Sequence, residues 1–296
     1  MKKNPTPLLY HTEFSDTPPL LTEDEVAALV PAGVSQDVLK RIFSCLDLTS
    51  LNPEDTVEKI RSMCRVINGF QTAFPGLPNV AAVCVYPPFV PVVRECLEAQ
   101  DIEIVSVAAG FPSAQTFLEV KIKEVQMAAE KGASEIDIVL PLGTFFSRRY
   151  DAVLEEIQLV KKEMGPNILK VILETGVLKT PALVWKASMI AMEAGADFIK
   201  TSTGKIQPAA TPEAFQVMAR AIATYYETTG RRVGIKPAGG ISTTDEALKY
   251  YCLVDHVLGP EWLTRKLFRI GASRLANVLL RDLMASEDNQ VIQDYF

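Results

Sequence analysis

Histidine is almost missing: His11 and His256 are the only two in 296 residues, which excludes a metal centre built on several histidines. A carboxylate-only metal site stays open, but no acidic cluster singles one out. The five cysteines, Cys45, Cys64, Cys84, Cys96 and Cys252, are odd in number, scattered and never spaced as CxxC. They read as reduced thiols of a cytoplasmic protein. No run approaches the roughly 18 apolar residues of a spanning helix. The opening Met1-Lys2-Lys3-Asn4-Pro5 leads into prolines and acids instead of the apolar core of a secretory signal. A surplus of positive charge is lacking too. The net charge is −6 and the isoelectric point about 5.2, which argues against a nucleic-acid or membrane partner but leaves room for a local basic pocket for a phosphate.

What is present is a regular alternation. At 48% apolar, the chain can build one large core. Residues 1–35 read as an extension of loop and short helix, with an acid-rich helix start at Thr22-Glu23-Asp24-Glu25 that ends before Pro31. Beyond it, short β-branched runs alternate with longer amphipathic stretches. The runs expected to be strands lie near Cys45–Leu48, Val80–Tyr86, Ile102–Ala108, Glu135–Leu140, Ile168–Glu174, Asp197–Lys200, Val233–Lys236 and Leu253–Leu258. Helices are expected over Val57–Phe70, Thr116–Lys131, Tyr150–Met164, Ala182–Ala194, Glu213–Glu227 and Thr244–Tyr251. Eight units of roughly thirty residues each fit an α/β fold of the (β/α)8 TIM-barrel type, over residues 36–283, with an N-terminal helical extension and a C-terminal tail over 284–296. An open doubly wound sheet is the alternative, but no GxGxxG opens the first helix and no Walker motif is present.

In such a barrel the chemistry sits at the C-terminal ends of the strands, and charges collect there. Asp47 lies in the first strand and Asp137 in the fourth, Lys170 and Glu174 share a face of the fifth, and Lys200 and Lys236 end the sixth and seventh. Buried ions cost several kcal/mol each unless well paired. One reading is a structural network of acids and lysines. For Lys200 alone, snorkelling to the rim or pairing with a carboxylate is the ordinary outcome. Against this stands the adjacency of Lys200 and Lys236 on neighbouring strands, where like charges push one amine toward neutrality and make it nucleophilic. Asp137 is then placed to relay protons. A second constellation suits an anion: Gly204-Lys205 after strand six, Gly239-Gly240 after strand seven, and Gly271-Ala272-Ser273-Arg274 at the opening of the last helix.

These stretches resemble the 2-deoxyribose-5-phosphate aldolase family. The resemblance is carried by Ala196-Asp197-Phe198-Ile199-Lys200-Thr201-Ser202-Thr203-Gly204-Lys205, by Gly234-Ile235-Lys236-Pro237-Ala238-Gly239-Gly240-Ile241, by Glu135-Ile136-Asp137-Ile138-Val139 and by Val171-Ile172-Leu173-Glu174-Thr175-Gly176. Leu46-Asp47-Leu48-Thr49 and Val83-Cys84-Val85-Tyr86-Pro87 support it, and it covers roughly residues 36–283. It implies a class I aldolase, without cofactor or metal, that reversibly cleaves 2-deoxy-D-ribose 5-phosphate to acetaldehyde and D-glyceraldehyde 3-phosphate. Its partners are then a sugar phosphate and small aldehydes, and a homodimer is compatible with it.

Carried over by position, Lys200 is the Schiff-base lysine, Asp137 the proton relay and Lys236 the second lysine. Gly204, Lys205, Gly239 and Gly240 hold the phosphate, with Thr201, Ser273 and Arg274 beside them. Asp47, Lys170 and Cys84 lie on site-lining strands, although Cys84 reads equally well as a small buried hydrophobe. Three departures stand out. Arg274 replaces a serine common in the family, and either binds the phosphate bidentately or points outward. Tyr295, penultimate before Phe296, follows a tail at Glu287-Asp288-Asn289-Gln290 that looks solvated, whereas some relatives place a proton-transferring tyrosine at the very end. The extension carries no motif, and covers either a barrel end or a subunit contact.

Overall fold

The structure is a computed structural model, described for residues 9–285 and 294–296. Eight strands form its centre: β1 (Leu46–Thr49), β2 (Ala82–Val85), β3 (Glu103–Val107), β4 (Glu135–Val139), β5 (Ile168–Ile172), β6 (Phe198–Lys200), β7 (Gly234–Lys236) and β8 (Ile270–Ala272). All pair in parallel, in the order β7-β6-β5-β4-β3-β2-β1-β8. Backbone N–H groups of Ile235 and Gly271 reach Leu267 O at 2.8 Å and Pro237 O at 2.9 Å, which draws β7 and β8 together and closes the ring. The fold is the (β/α)8 barrel expected from the alternation.

Four of the helices between the strands start where threonine supplies a cap. Thr56, Thr180, Thr211 and Thr243 each accept the backbone N–H three residues on, at 3.2–3.3 Å. At Pro181 and Pro212 a proline follows the cap, where its missing N–H costs nothing. Of the resulting helices, Val57–Ala73 buries one face, through Ile60, Cys64, Ile67 and Phe70, whereas Pro181–Glu193 and Pro212–Thr229 are buried on most sides.

One expected strand is a helix. Leu253–Leu258 completes the helix Thr244–Leu258 instead of forming the eighth strand. Ala247, Tyr251, Val254 and Leu258 are buried at a spacing of three to four residues, which is helical, and the Thr243–Glu246 capping box fixes the start of the helix. The true β8 is hard to see in the sequence because it is three residues long and contains Gly271. That glycine is required: a Cβ there would stand 2.9 Å from the Ala238 Cβ and 3.1 Å from the Lys236 Cε.

Residues 9–35 run along the outside of the barrel. The Tyr10 ring is buried and its hydroxyl donates to Asp151, while the Trp185 indole N–H donates to the Thr12 hydroxyl at 3.1 Å. Gln216 exchanges two hydrogen bonds with the Leu21 backbone at 2.8 and 3.0 Å. Helix Glu23–Ala28 then forms under its Thr22–Glu25 capping box, and helix Gln36–Ser44 leads into β1. No helix among the described residues is long and apolar enough to cross a membrane.

Candidate active site

Strand register decides which side chains meet. Asp137 pairs across with Lys170, Phe198 with Gly234, and Lys200 with Lys236, so their side chains leave the sheet on one face. Ion pairs between them put that face inside the barrel. The Asp137 Oδ2 lies 2.8 Å from Lys200 Nζ and 3.0 Å from Lys236 Nζ, and its Oδ1 lies 2.9 Å from Lys170 Nζ. Lys236 donates also to Asp47, and Lys170 reaches Glu135 at 2.5 Å. Below them Arg269 spans two carboxylates, with Nη1 2.6 Å from Asp47 and Nη2 2.8 Å from Glu135. All seven side chains are buried.

The environment separates the three lysines. Burial lowers the pKa of Lys200 and the neighbouring Lys236 cation adds to this, so the opposing pull of Asp137 is outweighed and the amine sits below the usual lysine value. For Lys236 burial acts in the same sense, but the Asp137 and Asp47 carboxylates prevail and raise its pKa. Lys170 is raised likewise, burial being overcome by Asp137 and Glu135. Asp137 would be raised by burial, yet Lys170, Lys200 and Lys236 hold it well below the usual carboxylate range. Burial pushes the Cys84 thiol up to about 11; it packs with Leu51, Ala82, Val105 and Val107.

Above the ion cluster opens a cavity of about 440 Å³. Of the three lysines of the cluster only Lys200 lines it. Its walls include Gly204, Lys205, Gly239, Gly240, Ser273 and Arg274, so the expected anion loops do converge. Gly204, Gly239 and Gly240 all have φ between +77° and +82°. At Gly239 a Cβ would meet the Ala209 Cβ at 2.7 Å and the Gly204 Cα at 3.0 Å, so the two loops approach only because both lack side chains. Lys205 extends across the cavity rim and donates to the Leu51 carbonyl beyond β1. Glu174, buried just past β5, accepts from the Thr203 amide at 3.2 Å and its hydroxyl at 2.5 Å, which fixes the loop after β6.

Three expected binding residues lie off the cavity wall. Asp47 and Lys170 are fully buried within the ion cluster. Thr201 is buried between β6 and β7, where its hydroxyl accepts from the Ala238 amide at 2.9 Å. Arg274 is exposed at the start of helix Leu275–Met284 and has no ion-pair partner among the described residues. Tyr295 stands away from the cavity: its hydroxyl donates to the Val66 carbonyl at 3.1 Å, and its ring meets Phe70 and Phe74 edge-on. The stretch Glu287–Gln290, expected to be solvated, lies outside the described residues. Two members of the cluster, Arg269 and Glu135, are given no role from the sequence, although Glu135 opens the Glu135–Val139 motif. The alternation that exposes Asp137 also places Glu135 inward, but Arg269 follows only from the correct position of β8.

A family model described as DeoC/LacD family aldolase matches residues 42–252. The chain is 42% identical over 248 residues to the deoxyribose-phosphate aldolase of Bos taurus, covering 80% of this chain and 78% of the relative. It is 41% identical over 256 residues to that of Homo sapiens, covering 83% and 80%. Among solved structures it resembles the tetrameric deoxyribose phosphate aldolase from Aeropyrum pernix, with a TM-score of 0.66 at 25% identity, over 88% of this chain and 98% of that one.

Proposed function

The chain belongs to the DeoC/LacD family of aldolases, and from that premise we propose that it is a class I deoxyribose-phosphate aldolase with Lys200 as the Schiff-base lysine. The observation that carries this is the asymmetry among the buried lysines. Lys200 alone reaches the cavity, and Lys200 alone of the three has its amine shifted toward the neutral form.

The steps follow from that geometry. The Lys200 amine adds to the C1 aldehyde of open-chain 2-deoxyribose 5-phosphate. Asp137, 2.8 Å from the same nitrogen, carries the proton released by that addition to the alkoxide, and a second proton drawn from solvent in the cavity lets the resulting hydroxyl leave as water, so an iminium forms. The C3 hydroxyl, β to the iminium carbon, then gives up its proton. The C2–C3 bond breaks, its electron pair moves into the iminium, and C3 becomes the aldehyde carbon of glyceraldehyde 3-phosphate. The enamine left on Lys200 is protonated at C2, and water hydrolyses the resulting iminium to acetaldehyde and free lysine. Lys236, kept charged by Asp47 and Asp137, disfavours a second cation at Lys200 and stabilises the relay carboxylate.

A volume of about 440 Å³ suits a five-carbon sugar phosphate. The phosphate fits the backbone amides around Gly204, Gly239 and Gly240, with Lys205, Ser273 and Arg274 at its edge. Unpaired thiols at all five cysteines support placement in the cytoplasm. A homodimer is our reading of the assembly, and light scattering on the purified protein tests it. For the activity, turnover is measured on a panel of phosphorylated and unphosphorylated 2-deoxy sugars with both aldehyde products quantified. Deoxyribose 5-phosphate is expected to give acetaldehyde and glyceraldehyde 3-phosphate in equal amounts, and K200M to give neither. Equal turnover in K200M would overturn the assignment.

A further inference from the structure

Seven ionisable side chains meet inside the barrel, and their charges do not balance. Four cationic groups, Lys170, Lys200, Lys236 and Arg269, face three carboxylates, Asp47, Glu135 and Asp137. Around them β2 offers only the neutral Cys84 thiol, and β3 offers Val105 and Val107. Phe198 lies beneath Lys200 on β6, with the Arg269 guanidinium 5.8 Å from its ring centre. Glu174, beyond β5, gives both its oxygens to Thr203 and forms no ion pair among the described residues. Each of the three carboxylates is held by at least two cations. One amine is therefore in excess.

Connectivity identifies which. Arginine does not release its proton in a protein, and Arg269 occupies one oxygen of Asp47 and both of Glu135. Lys170 bridges Glu135 and Asp137, and Lys236 bridges Asp47 and Asp137. Lys200 has only the Asp137 Oδ2, which it shares with Lys236. Without the guanidinium, three amines would face three carboxylates. Asp47 could then neutralise Lys236, Glu135 could neutralise Lys170, and Asp137 would be left for Lys200.

We propose that Arg269 is a positioning residue for the Schiff base: by occupying Asp47 and Glu135 it commits Lys170 and Lys236 to Asp137, leaving Lys200 without a carboxylate of its own. Arg269 does not line the cavity and acts through the carboxylates alone. This rests on the reading of Lys200 as the nucleophile.

The test reads the amine directly. Reductive methylation with formaldehyde and cyanoborohydride proceeds through the unprotonated amine, so its rate at Lys200, followed by peptide mass mapping across pH, reports that fraction without any sugar phosphate. In R269Q the rise in rate is expected to move to higher pH, with about a tenfold or greater loss at pH 7, since raising the amine's pKa by about one lowers the free fraction tenfold. R269K, which keeps the charge, holds the parent profile. The double variant R269Q/E135Q removes one charge of each sign, restores an excess of one cation, and is expected to return the profile toward the parent. An unmoved profile in R269Q, or a double variant displaced as far as R269Q, overturns the proposal. If R269Q does not fold, E135Q compared with the double variant isolates the same guanidinium, and the rise is expected at lower pH in E135Q; coincident profiles overturn it. Turnover of deoxyribose 5-phosphate by the parent, measured separately, distinguishes failure of this inference from failure of the proposed activity.

Discussion

Asp137 accepts from three lysine side chains with two oxygens, and Arg274 has no ionic partner among the described residues. The first is set by packing; the second is open to a ligand. A charge-assisted hydrogen bond contributes about 1.5–3 kcal/mol, so R274S is expected to raise KM for deoxyribose 5-phosphate by roughly 10–100-fold while leaving kcat/KM for unphosphorylated deoxyribose unchanged. Steady-state kinetics on the two sugars check this, and an equal change in both would remove Arg274 from the phosphate site. At this scale much is legible in the sequence. Strand alternation exposes Asp137, Lys200 and Lys236 as inward charges because such residues are rare inside a barrel. The positions of Lys170 and Thr201 relative to the cavity are not legible. Register tells which face a side chain leaves from, but whether it ends at the wall or beneath it depends on strand stagger and on what packs above.

Strands of three residues carry β6, β7 and β8, and the loops beyond them carry the anion site. Such short strands have little periodicity to read. The alternation of Phe198 and Lys200 stands out because of its lysine motif, whereas β8 contains a glycine and follows directly on the buried Arg269. The run Leu253–Leu258, with four apolar residues around Asp255 and His256, competes for its place and is helical because Thr243 and Glu246 start the helix well before the run itself begins. Residues 9–35 form a strap held to the barrel through Tyr10, Thr12 and Leu21. Tyr10 is 2% exposed and anchors that strap against helices Tyr150–Glu163 and Pro181–Glu193. Truncating a large buried ring costs about 3–5 kcal/mol, so Y10A is expected to lose about 3 kcal/mol of unfolding free energy in urea while kcat at 25 °C stays within about twofold. A large loss of kcat in folded Y10A would tie the strap to catalysis.

Across the whole molecule, the centre of the barrel is ionic where an ordinary barrel is filled by Val, Ile and Leu, and stability depends on pH accordingly. Burial favours the protonated forms of Asp47 and Asp137, but the surrounding cations win and depress both pKa values on folding. The unfolded chain therefore binds protons more readily than the folded one. The stability these two groups contribute is full above the unfolded carboxylate value, near pH 4, and is lost as the pH falls below it. Unfolding free energy is expected to hold between about pH 6 and 8 and to drop steeply below about pH 4, as followed by urea titration at each pH. A flat profile through that range would show that the two carboxylates are not ionised in the folded state. At this scale the alternating pattern is enough to give the barrel. It cannot give the excess cation, since a charge balance requires every inward residue of every strand, including the arginine that precedes the hidden β8.

The most direct measurement is borohydride reduction in the presence of 2-deoxyribose 5-phosphate, followed by intact mass and peptide mapping. The expected result is one covalent adduct per chain, located on Lys200 and absent from K200M. An adduct on Lys170 or Lys236, or a folded chain that binds the sugar phosphate and yields no adduct, would contradict a Schiff-base mechanism centred on Lys200.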